Sequence, residues 1–318
     1  MNPPDETKII PAVPRLSWRS LQPADVGAIT ALATACLETD GGLPLGASDT
    51  YIHKHYLPAL PGMSIGSFKA NGRLVACAAV QPISTPDDYR ATIVGQVHPT
   101  YRRRGIGTYL LKWSITEAAK LLSISPPNWP HVMLVATESL STGAVDLFER
   151  HGFKQLFAED VMRRNLDTPL PDAAVPPGIS FATWTPALAS EFFAVYQAAF
   201  RERPGFPNWS QDEWVDWLGT EDDDFRAELS LLAYQDDVLV GFVVCAEGWI
   251  VQLGVLPEWR KRGIGLTLMI ETLRRFCSAD TDHVLLDVNV NNPSAARLYE
   301  RLGFERVGRR ARYARVLA

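Results

Sequence analysis

The sequence is poor in cysteine, and its cysteines form no recognisable pattern. The four that it has, Cys36, Cys77, Cys245 and Cys277, lie far apart, and none belongs to a Cys-x-x-Cys pair. Zinc sites and the disulfide frameworks of small secreted domains depend on closely spaced or paired cysteines. We therefore expect a chain without a metal centre and without structural disulfide bonds.

Long apolar runs, a signal segment and an excess of positive charge are missing as well. No apolar stretch approaches the roughly 18 residues that a membrane-spanning helix needs. The first residues, MNPPDE, lack the basic start and the apolar core of a secretory signal. The net charge of −5 argues against a broad nucleic-acid surface, which usually carries a basic excess. These absences favour a cytoplasmic protein that binds neither membranes nor nucleic acids.

What the sequence does contain is an internal repeat. Residues 97–107, VHPTYRRRGIG, return as residues 255–265, VLPEWRKRGIG, and each copy joins an apolar run to a helical pattern. Backbone N–H groups at a helix N-terminus have no intrahelical partner and point along the positive end of the helix dipole. Glycine lets a phosphate approach closely, and arginine adds positive charge. The repeat therefore predicts two phosphate-binding turns, in a chain whose 318 residues suffice for two domains.

The repeat extends to the secondary structure on both sides of the turn. A β-hairpin is predicted around Asn71-Gly72 in the first half and around Asp236-Asp237 in the second. After each turn come a helical pattern (107–122 and 265–277), an apolar strand (131–136 and 283–288) and a short helix ending at Gly152 or Gly303. Each half also opens with a helix, at 23–37 and 186–200. This order predicts a mixed α/β architecture, an α+β mixed sheet with helices, that is built twice.

A proline-rich segment separates the two halves. Residues 168–178, TPLPDAAVPPG, suit neither a helix nor a central strand, because proline lacks the backbone N–H and fixes φ. We interpret this segment as a linker between an N-terminal domain (1–167) and a C-terminal domain (179–318).

The glycine turn differs from two well-known phosphate-binding loops. A dinucleotide fingerprint needs a third glycine where this chain has Leu110 and Leu268, and a Walker A loop needs Gly-Lys-Ser/Thr, which is absent. A single copy is equally compatible with a plain basic turn that reverses the chain. Two copies in the same strand–turn–helix setting argue against that interpretation.

Two motifs resemble those of a known family. Arg102-x-x-Gly105-x-Gly107 and Arg260-x-x-Gly263-x-Gly265 match the Arg/Gln-x-x-Gly-x-Gly/Ala signature of GCN5-related (GNAT) N-acetyltransferases. The segment from Asn289 to Phe304, NVNNPSAARLYERLGF, is similar to the closing motif of that family. The resemblance covers nearly the whole chain as two consecutive GNAT-like acyl-CoA N-acyltransferase domains. Tandem members include the mycothiol synthases, which have a similar length and layout.

The resemblance implies acetyl-CoA as the cofactor. Its pyrophosphate would lie on the amides of the glycine turn, and its pantetheine arm between splayed parallel strands at 249–255 and 283–290. The implied contacts fall in the second half on Leu253, Val255, Arg260, Lys261, Arg262, Gly263, Ile264, Gly265, Leu266, Asn289 and Asn292, and in the first half on Val97, Arg102, Arg103, Arg104, Gly105, Ile106, Gly107 and Thr108.

Catalysis needs further groups, because an amine attacks a thioester only when it is neutral and a free alkylamine is protonated near neutrality. By resemblance, Tyr299 is the acid that protonates the departing sulfur, and Glu247 lies near the usual position of the general base. A backbone amide of the central strand would stabilise the thioester oxygen. The alternatives are that Tyr299 packs on the sheet, that Glu247 is a solvated turn residue and that Asn292 caps a helix.

The first half departs from the family at these positions. Phe148 replaces the tyrosine, while Glu138 and Ser141 stand opposite the two asparagines and Tyr89 opposite Glu247. A half that keeps the turn and loses the hydroxyl is expected to bind CoA without fast chemistry. We therefore expect one catalytic domain, the C-terminal one.

The acceptor is less defined. Trp209 and Asp212, with the acidic run at 221–224, would form an aromatic, negative site for a cationic amine; a solvated acidic loop and a helix start at Ser210 are the alternatives. The leading hypothesis is an acetyl-CoA-dependent N-acetyltransferase that acts on a primary amine of a small molecule by direct transfer in a ternary complex, as a monomer or homodimer. Acetylation of a pseudodisaccharide amine, as by mycothiol synthases, and a non-catalytic acyl-CoA sensor remain alternatives.

Overall fold

The computed structural model describes residues 16–58, 60–85, 88–124, 130–171, 175–202, 206, 209–220, 225–279 and 281–317. The chain divides into two compact units, Met1–Val161 with Val307–Ala318, and Met162–Arg306. Each unit combines helices with a mixed sheet, which confirms the predicted mixed α/β class.

The first unit is a sheet with helices on both sides of its central strands. Its elements are β1 (Leu16–Arg19), α1 (Val26–Asp40), α2 (Asp49–Tyr56), β2 (Ser64–Lys69), β3 (Leu74–Thr85), β4 (Asp88–Val97), α3 (Ile106–Leu122), β5 (Val132–Thr137), α4 (Thr142–Arg150), the start of β6 (Lys154–Asn165) and most of β12 (Glu305–Val316). The strand order is β1-β2-β3-β4-β5-β12. Only the β4–β5 pair is parallel among these neighbours.

The second unit repeats the plan. Its elements are the end of β6, β7 (Ile179–Thr183), α5 (Ala189–Phe200), α6 (Gln211–Thr220), β8 (Leu231–Gln235), β9 (Val238–Ala246), β10 (Trp249–Val255), α7 (Ile264–Cys277), β11 (His283–Asn289) and α8 (Pro293–Arg301). The strand order is β11-β10-β9-β8-β7, with β10 and β11 parallel and the other three pairs antiparallel.

The last strand of the chain belongs to the first unit, which differs from the domain boundaries inferred from the sequence. β12 pairs with β5 from Ala311↔Thr137 to Val316↔Val132. Its side chains are fully buried at Ala311 and Tyr313. Strand pairing is made by backbone groups, so a repeated sequence does not reveal which copy's sheet the final strand joins.

The linker region agrees with its composition. Between Asn165 and Ile179, the described residues form no helix and no strand. Within the parts of the chain that the structure covers, no helix is both long and apolar enough to cross a membrane. The same parts contain no group of three or more His, Cys, Asp or Glu side chains placed to hold a metal ion.

Two apolar layers cover the faces of the second sheet. On one face, Val243 and Ile250 pack with Leu268 of α7. On the other face, Val244 packs with Trp214 of α6 and Phe192 of α5. Adjacent strand residues face opposite sides of a sheet, which is why Val243 and Val244 belong to different layers.

Candidate active site

The two glycine turns have the same backbone conformation. Gly105 (φ 79°) and Gly263 (φ 86°) are left-handed and immediately precede α3 and α7. Arg103 (φ 61°) and Lys261 (φ 62°) are also left-handed, a conformation that is uncommon for residues with a side chain and that persists at ligand sites. The backbone N–H groups of residues 103–108 and 261–266 donate to no described residue. Each turn therefore presents a set of unpaired amides at a helix N-terminus, as an anion site requires.

The first arginine of each signature braces the turn. The Nε of Arg260 donates to the carbonyl oxygen of Val255 (3.1 Å), and its Nη2 donates to that of Ala199 at the end of α5 (2.9 Å). The Nε of Arg102 makes the matching bond to the carbonyl of Val97 (3.0 Å), while its Nη1 and Nη2 bind the carboxylate of Asp40 (2.7 and 2.6 Å). These contacts hold the turn against the strand and the first helix. The Arg102 charge is thereby neutralised, so it adds little to an anion site.

The other basic side chains of the turns are exposed. Lys261 and Arg262 follow Arg260, and Arg103 and Arg104 follow Arg102. Arg262 lies over the ring of Trp259 (4.7 Å), as Arg104 lies over that of Tyr101 (5.3 Å). These four cations provide the positive charge that the sequence indicated for the turns.

Aliphatic residues of the turns anchor the helices. Ile106 and Ile264 are buried, so only their backbone amides can face a ligand. A Cβ atom added to Gly265 would lie 3.6 Å from the side chain of Val255 and 3.8 Å from that of Leu298, which are ordinary contact distances. Gly107 is in a similar setting, and Thr108 and Leu266 continue the first turns of α3 and α7. Val97, Leu253 and Val255 are partly buried at the ends of β4 and β10.

The two units differ where their parallel strands separate. β10 pairs with β11 only at Trp249↔Leu285 and Ile250↔Leu286, whereas β4 pairs with β5 at four positions, from Arg90↔Val132 to Ile93↔Val135. β10 also has a bulge between Ile250 and Gln252, while the pairing of β4 with β3 is regular. The extra residue of a bulge leaves the strand ladder. The second unit therefore has the longer cleft between its strands and an irregular backbone beside it.

Tyr299 lies on α8, in the same apolar cluster as Val288 of β11. It is 8% exposed and packs with Phe304, the ring centroids being 5.9 Å apart. Its hydroxyl donates to no described residue, and burial, reinforced by the Asp287 charge, raises the pKa of that hydroxyl. Tyr299 therefore packs on the sheet, which was the alternative to a catalytic role. It also carries a hydroxyl that stays protonated at neutral pH. Phe148, its counterpart in the first unit, packs against Tyr313 at 5.2 Å.

The two asparagines of the closing motif organise the start of α8. The Oδ1 of Asn292 accepts from the backbone N–H of Ala295 (3.2 Å), so helix capping is confirmed. The Oδ1 of Asn289 accepts from the N–H of Asn291 (2.9 Å). Both side-chain amides keep their NH2 groups without a described partner, so contact of these groups with a cofactor stays a prediction. Ser141 caps α4 in the same way (3.3 Å).

Glu138 departs further from its counterpart, Asn289. It is a buried carboxylate whose Oε1 accepts from Arg312 and from the hydroxyl of Tyr51 (3.4 Å). Its Oε2 makes no hydrogen bond and lies 3.8 Å from the Nη1 of Arg310. The end of β5 thus carries an ion pair where β11 carries an amide.

Glu247 lies in the turn between β9 and β10. Its side chain is 69% exposed and pairs with the Nη1 of Arg226 at 3.2 Å. Glu247 therefore precedes by two residues Trp249, the first of the two β10 residues that pair with β11 before the strands separate. The surroundings are those of a solvated turn carboxylate, and a role as base stays a prediction.

The proposed acceptor residues lie around the start of α6. The rings of Trp209 and Trp217 are 5.3 Å apart. Ser210 and Glu213 form the predicted capping box, with backbone-to-side-chain distances of 2.7 and 3.2 Å. Asp212 is exposed in the first turn of α6, and the acidic run at 221–224 lies outside the described residues.

One polar residue near the cleft was missed by the sequence analysis. The Oε1 of Gln252, on β10, accepts a hydrogen bond from the indole Nε1 of Trp214 (3.3 Å). The available signal was a single amide side chain within the apolar strand WIVQLGV.

Comparison with known proteins places both units in one family. Residues 190–304 match the model of the acetyltransferase (GNAT) family, and residues 66–155 match that of an acetyltransferase (GNAT) domain. A mycothiol acetyltransferase of Thermobispora bispora is 30% identical over 89% of this chain and 94% of its own. A solved GCN5-related N-acetyltransferase from Sphaerobacter thermophilus has a TM-score of 0.74 and 28% identity, covering 95% of this chain and 96% of that one.

A second solved structure shares the tandem fold. It is a tandem GNAT protein from the clavulanic acid biosynthesis pathway, with a TM-score of 0.62 and 17% identity over 95% of this chain and 98% of that one. At this identity the likeness concerns the fold alone. The two family matches and the mycothiol acetyltransferase that aligns with nearly the whole chain carry the assignment. The chain is an acetyltransferase that belongs to the GNAT family and carries two domains of that family in tandem.

Proposed function

We propose that the protein transfers an acetyl group from acetyl-CoA directly to the primary amine of a small molecule, in a ternary complex, with the chemistry in the second unit. The observation that carries this proposal is a combination found in that unit: an amide-lined turn, a bulged strand beside the cleft and the hydroxyl of the buried Tyr299. The first unit has the turn without the bulge or the hydroxyl.

The residues of the second turn fit the cofactor of the family. The unpaired amides of residues 261–266 suit a pyrophosphate, and Lys261 and Arg262 add exposed positive charge beside them. When bound, acetyl-CoA supplies the activated acyl group as a thioester. Asn289 and Asn292 offer NH2 donors beside the cleft for the amide groups of the pantetheine arm.

The chain's own groups match the needs of acyl transfer. The bulge leaves Val251 outside the ladder with β9, and a backbone N–H there is our candidate donor to the carbonyl oxygen as negative charge develops on it. Tyr299 has a protonated hydroxyl at neutral pH and is the candidate donor to the sulfur of the leaving group. Glu247, exposed at the start of β10, would remove the amine proton through water.

The first unit is proposed to bind CoA without turnover. It has the same unpaired amides and the exposed Arg103 and Arg104. Phe148 cannot donate a proton, and the cleft between β4 and β5 is shorter. The function of such a unit would be to hold the nucleotide rather than to transfer its acyl group.

Acetylation of a pseudodisaccharide amine is the second candidate. It is favoured by the 30% identity with a mycothiol acetyltransferase over most of both chains. Release of CoA thiol from acetyl-CoA, measured with a panel of primary amines that includes such an amine, tests both candidates. If both units bind acetyl-CoA and no amine releases CoA, the sensor hypothesis replaces the enzyme.

Charge reversal in the turns separates the roles of the two units. Lys261→Glu is expected to raise the KM for acetyl-CoA roughly tenfold, because it places a like charge beside the pyrophosphate. Arg103→Glu, the matched control, should leave kcat/KM unchanged and lower the number of acetyl-CoA molecules bound per chain. Steady-state kinetics and calorimetric titration measure the two effects. A loss of turnover in the Arg103 variant alone would place the chemistry in the first unit.

A further inference from the structure

The bulge in β10 changes the direction of one side chain. In a regular strand, Gln252 would face the same side as Ile250, two residues before it. Ile250 packs with the α7 layer, yet Gln252 is hydrogen-bonded to Trp214 of α6 on the opposite face. The register shift between Ile250 and Gln252 accounts for the reversal. Gln252 therefore lies on the face of α5 and α6, at the point where β10 leaves β11.

Trp214 is a rigid partner for this amide. Its ring is fully buried, stacks on Tyr196 with centroids 5.2 Å apart and lies 5.8 Å from Phe193. An indole N–H is a donor only, so the group that faces it must be the amide oxygen of Gln252. The orientation of the amide is thereby determined, with its NH2 group directed away from Trp214.

The NH2 group of Gln252 has no acceptor among the described residues. Gln252 is half-buried, and its NH2 group is not one of the fully buried polar atoms that lack a partner, so a ligand oxygen can reach it. An ammonium has no lone pair to accept with, and an amine that attacks the thioester uses its lone pair on the carbonyl carbon, whereas a hydroxyl, ether or carboxylate oxygen is free to accept. In the first unit the aligned residue is the buried Val94, which offers no such donor.

We propose that Gln252 positions the acceptor, by donating a hydrogen bond to an oxygen that lies close to its reacting amine. This inference rests on the proposed transfer to a small amine and narrows the substrate class. The preferred acceptors are amines with an adjacent oxygen, such as amino alcohols and amino sugars, rather than plain alkylamines. Trp214 is a positioning residue that acts through Gln252.

The experiment compares two probes that differ by one hydroxyl, 2-aminocyclohexanol and cyclohexylamine. In the wild type, 2-aminocyclohexanol should have roughly tenfold the kcat/KM of cyclohexylamine, the size expected for one directed hydrogen bond. Gln252→Met removes the donor at similar length and should abolish this preference, with the KM for acetyl-CoA unchanged. Trp214→Phe keeps an aromatic ring and should weaken the preference by freeing the amide to turn.

Controls distinguish positioning from folding and from a failed enzyme hypothesis. Gln235→Met makes the same substitution on β8, where the side chain bonds the exposed carbonyl of Pro177, and should keep the preference. Calorimetric binding of the two probes in the presence of CoA gives a readout that does not depend on turnover. The inference is overturned if the wild type binds both probes with equal affinity, or if Gln252→Met lowers the affinity for both probes equally. If the wild type binds 2-aminocyclohexanol more tightly but releases CoA with no amine, the inference stands and the proposed function fails.

Discussion

Tyr299→Phe is expected to lower kcat at least tenfold and to leave the KM for acetyl-CoA within about twofold, because general acid catalysis commonly contributes 10²–10⁴-fold. The substitution keeps the buried ring against Phe304 and removes only the hydroxyl, which donates to no described residue. Burial raises the pKa of Tyr299, so the hydroxyl is protonated throughout the neutral range and is available as an acid. The rate should therefore show no alkaline decline from Tyr299 itself between about pH 7 and 9.

Steady-state kinetics with acetyl-CoA and an accepted amine measure this effect. Tyr313→Phe is the matched control, since it removes the hydroxyl of another buried tyrosine, in the first unit. Its kcat should equal that of the wild type. An unchanged kcat in Tyr299→Phe would remove the hydroxyl from the mechanism and would leave Tyr299 as a packing residue.

Deleting residues 307–318 is expected to unfold the first unit. The deletion removes the strand that pairs with β5 and takes Tyr313 out of the core. It also removes Arg312 and Arg310 from Glu138, whose carboxylate would keep only the Tyr51 hydroxyl at 3.4 Å. Breaking one buried ion pair costs about 3–5 kcal/mol, which is a large part of a stability of about 5–15 kcal/mol.

Amide hydrogen exchange of individual peptides tests this prediction. Peptides from β3 and β4 should lose protection in the truncated chain, while peptides from β9 and α7 keep it. Arg312→Met should lower the protection of the same first-unit peptides to a smaller extent, and Tyr313→Phe should leave their protection unchanged. Full protection of β3 and β4 after truncation would mean that residues 1–167 fold without the C-terminal strand.

Local features of the sequence predicted much of each unit. The helices at 107–122 and 265–277 appear as Ile106–Leu122 and Ile264–Cys277, because the left-handed glycine before each one is a local start signal. The hairpin around Asn71-Gly72 appears as β2 and β3, with Gly72 at φ 80°. Such signals depend on a few neighbouring residues, so they can be recognised without knowing the rest of the fold.

By itself the sequence determined the two left-handed glycine turns that each begin a helix, and it predicted that the half with Tyr299, where the other has Phe148, is the better candidate for catalysis. Only the tertiary structure decided which strand β12 pairs with and which face of the sheet Gln252 lies on. It also decided the partners of Arg260, whose guanidinium donates to the carbonyls of Val255 and Ala199. The reason is physical. A turn conformation and a helix N-terminus are properties of adjacent residues, whereas strand partners, a bulge and the contacts of a long side chain depend on groups far apart in the chain.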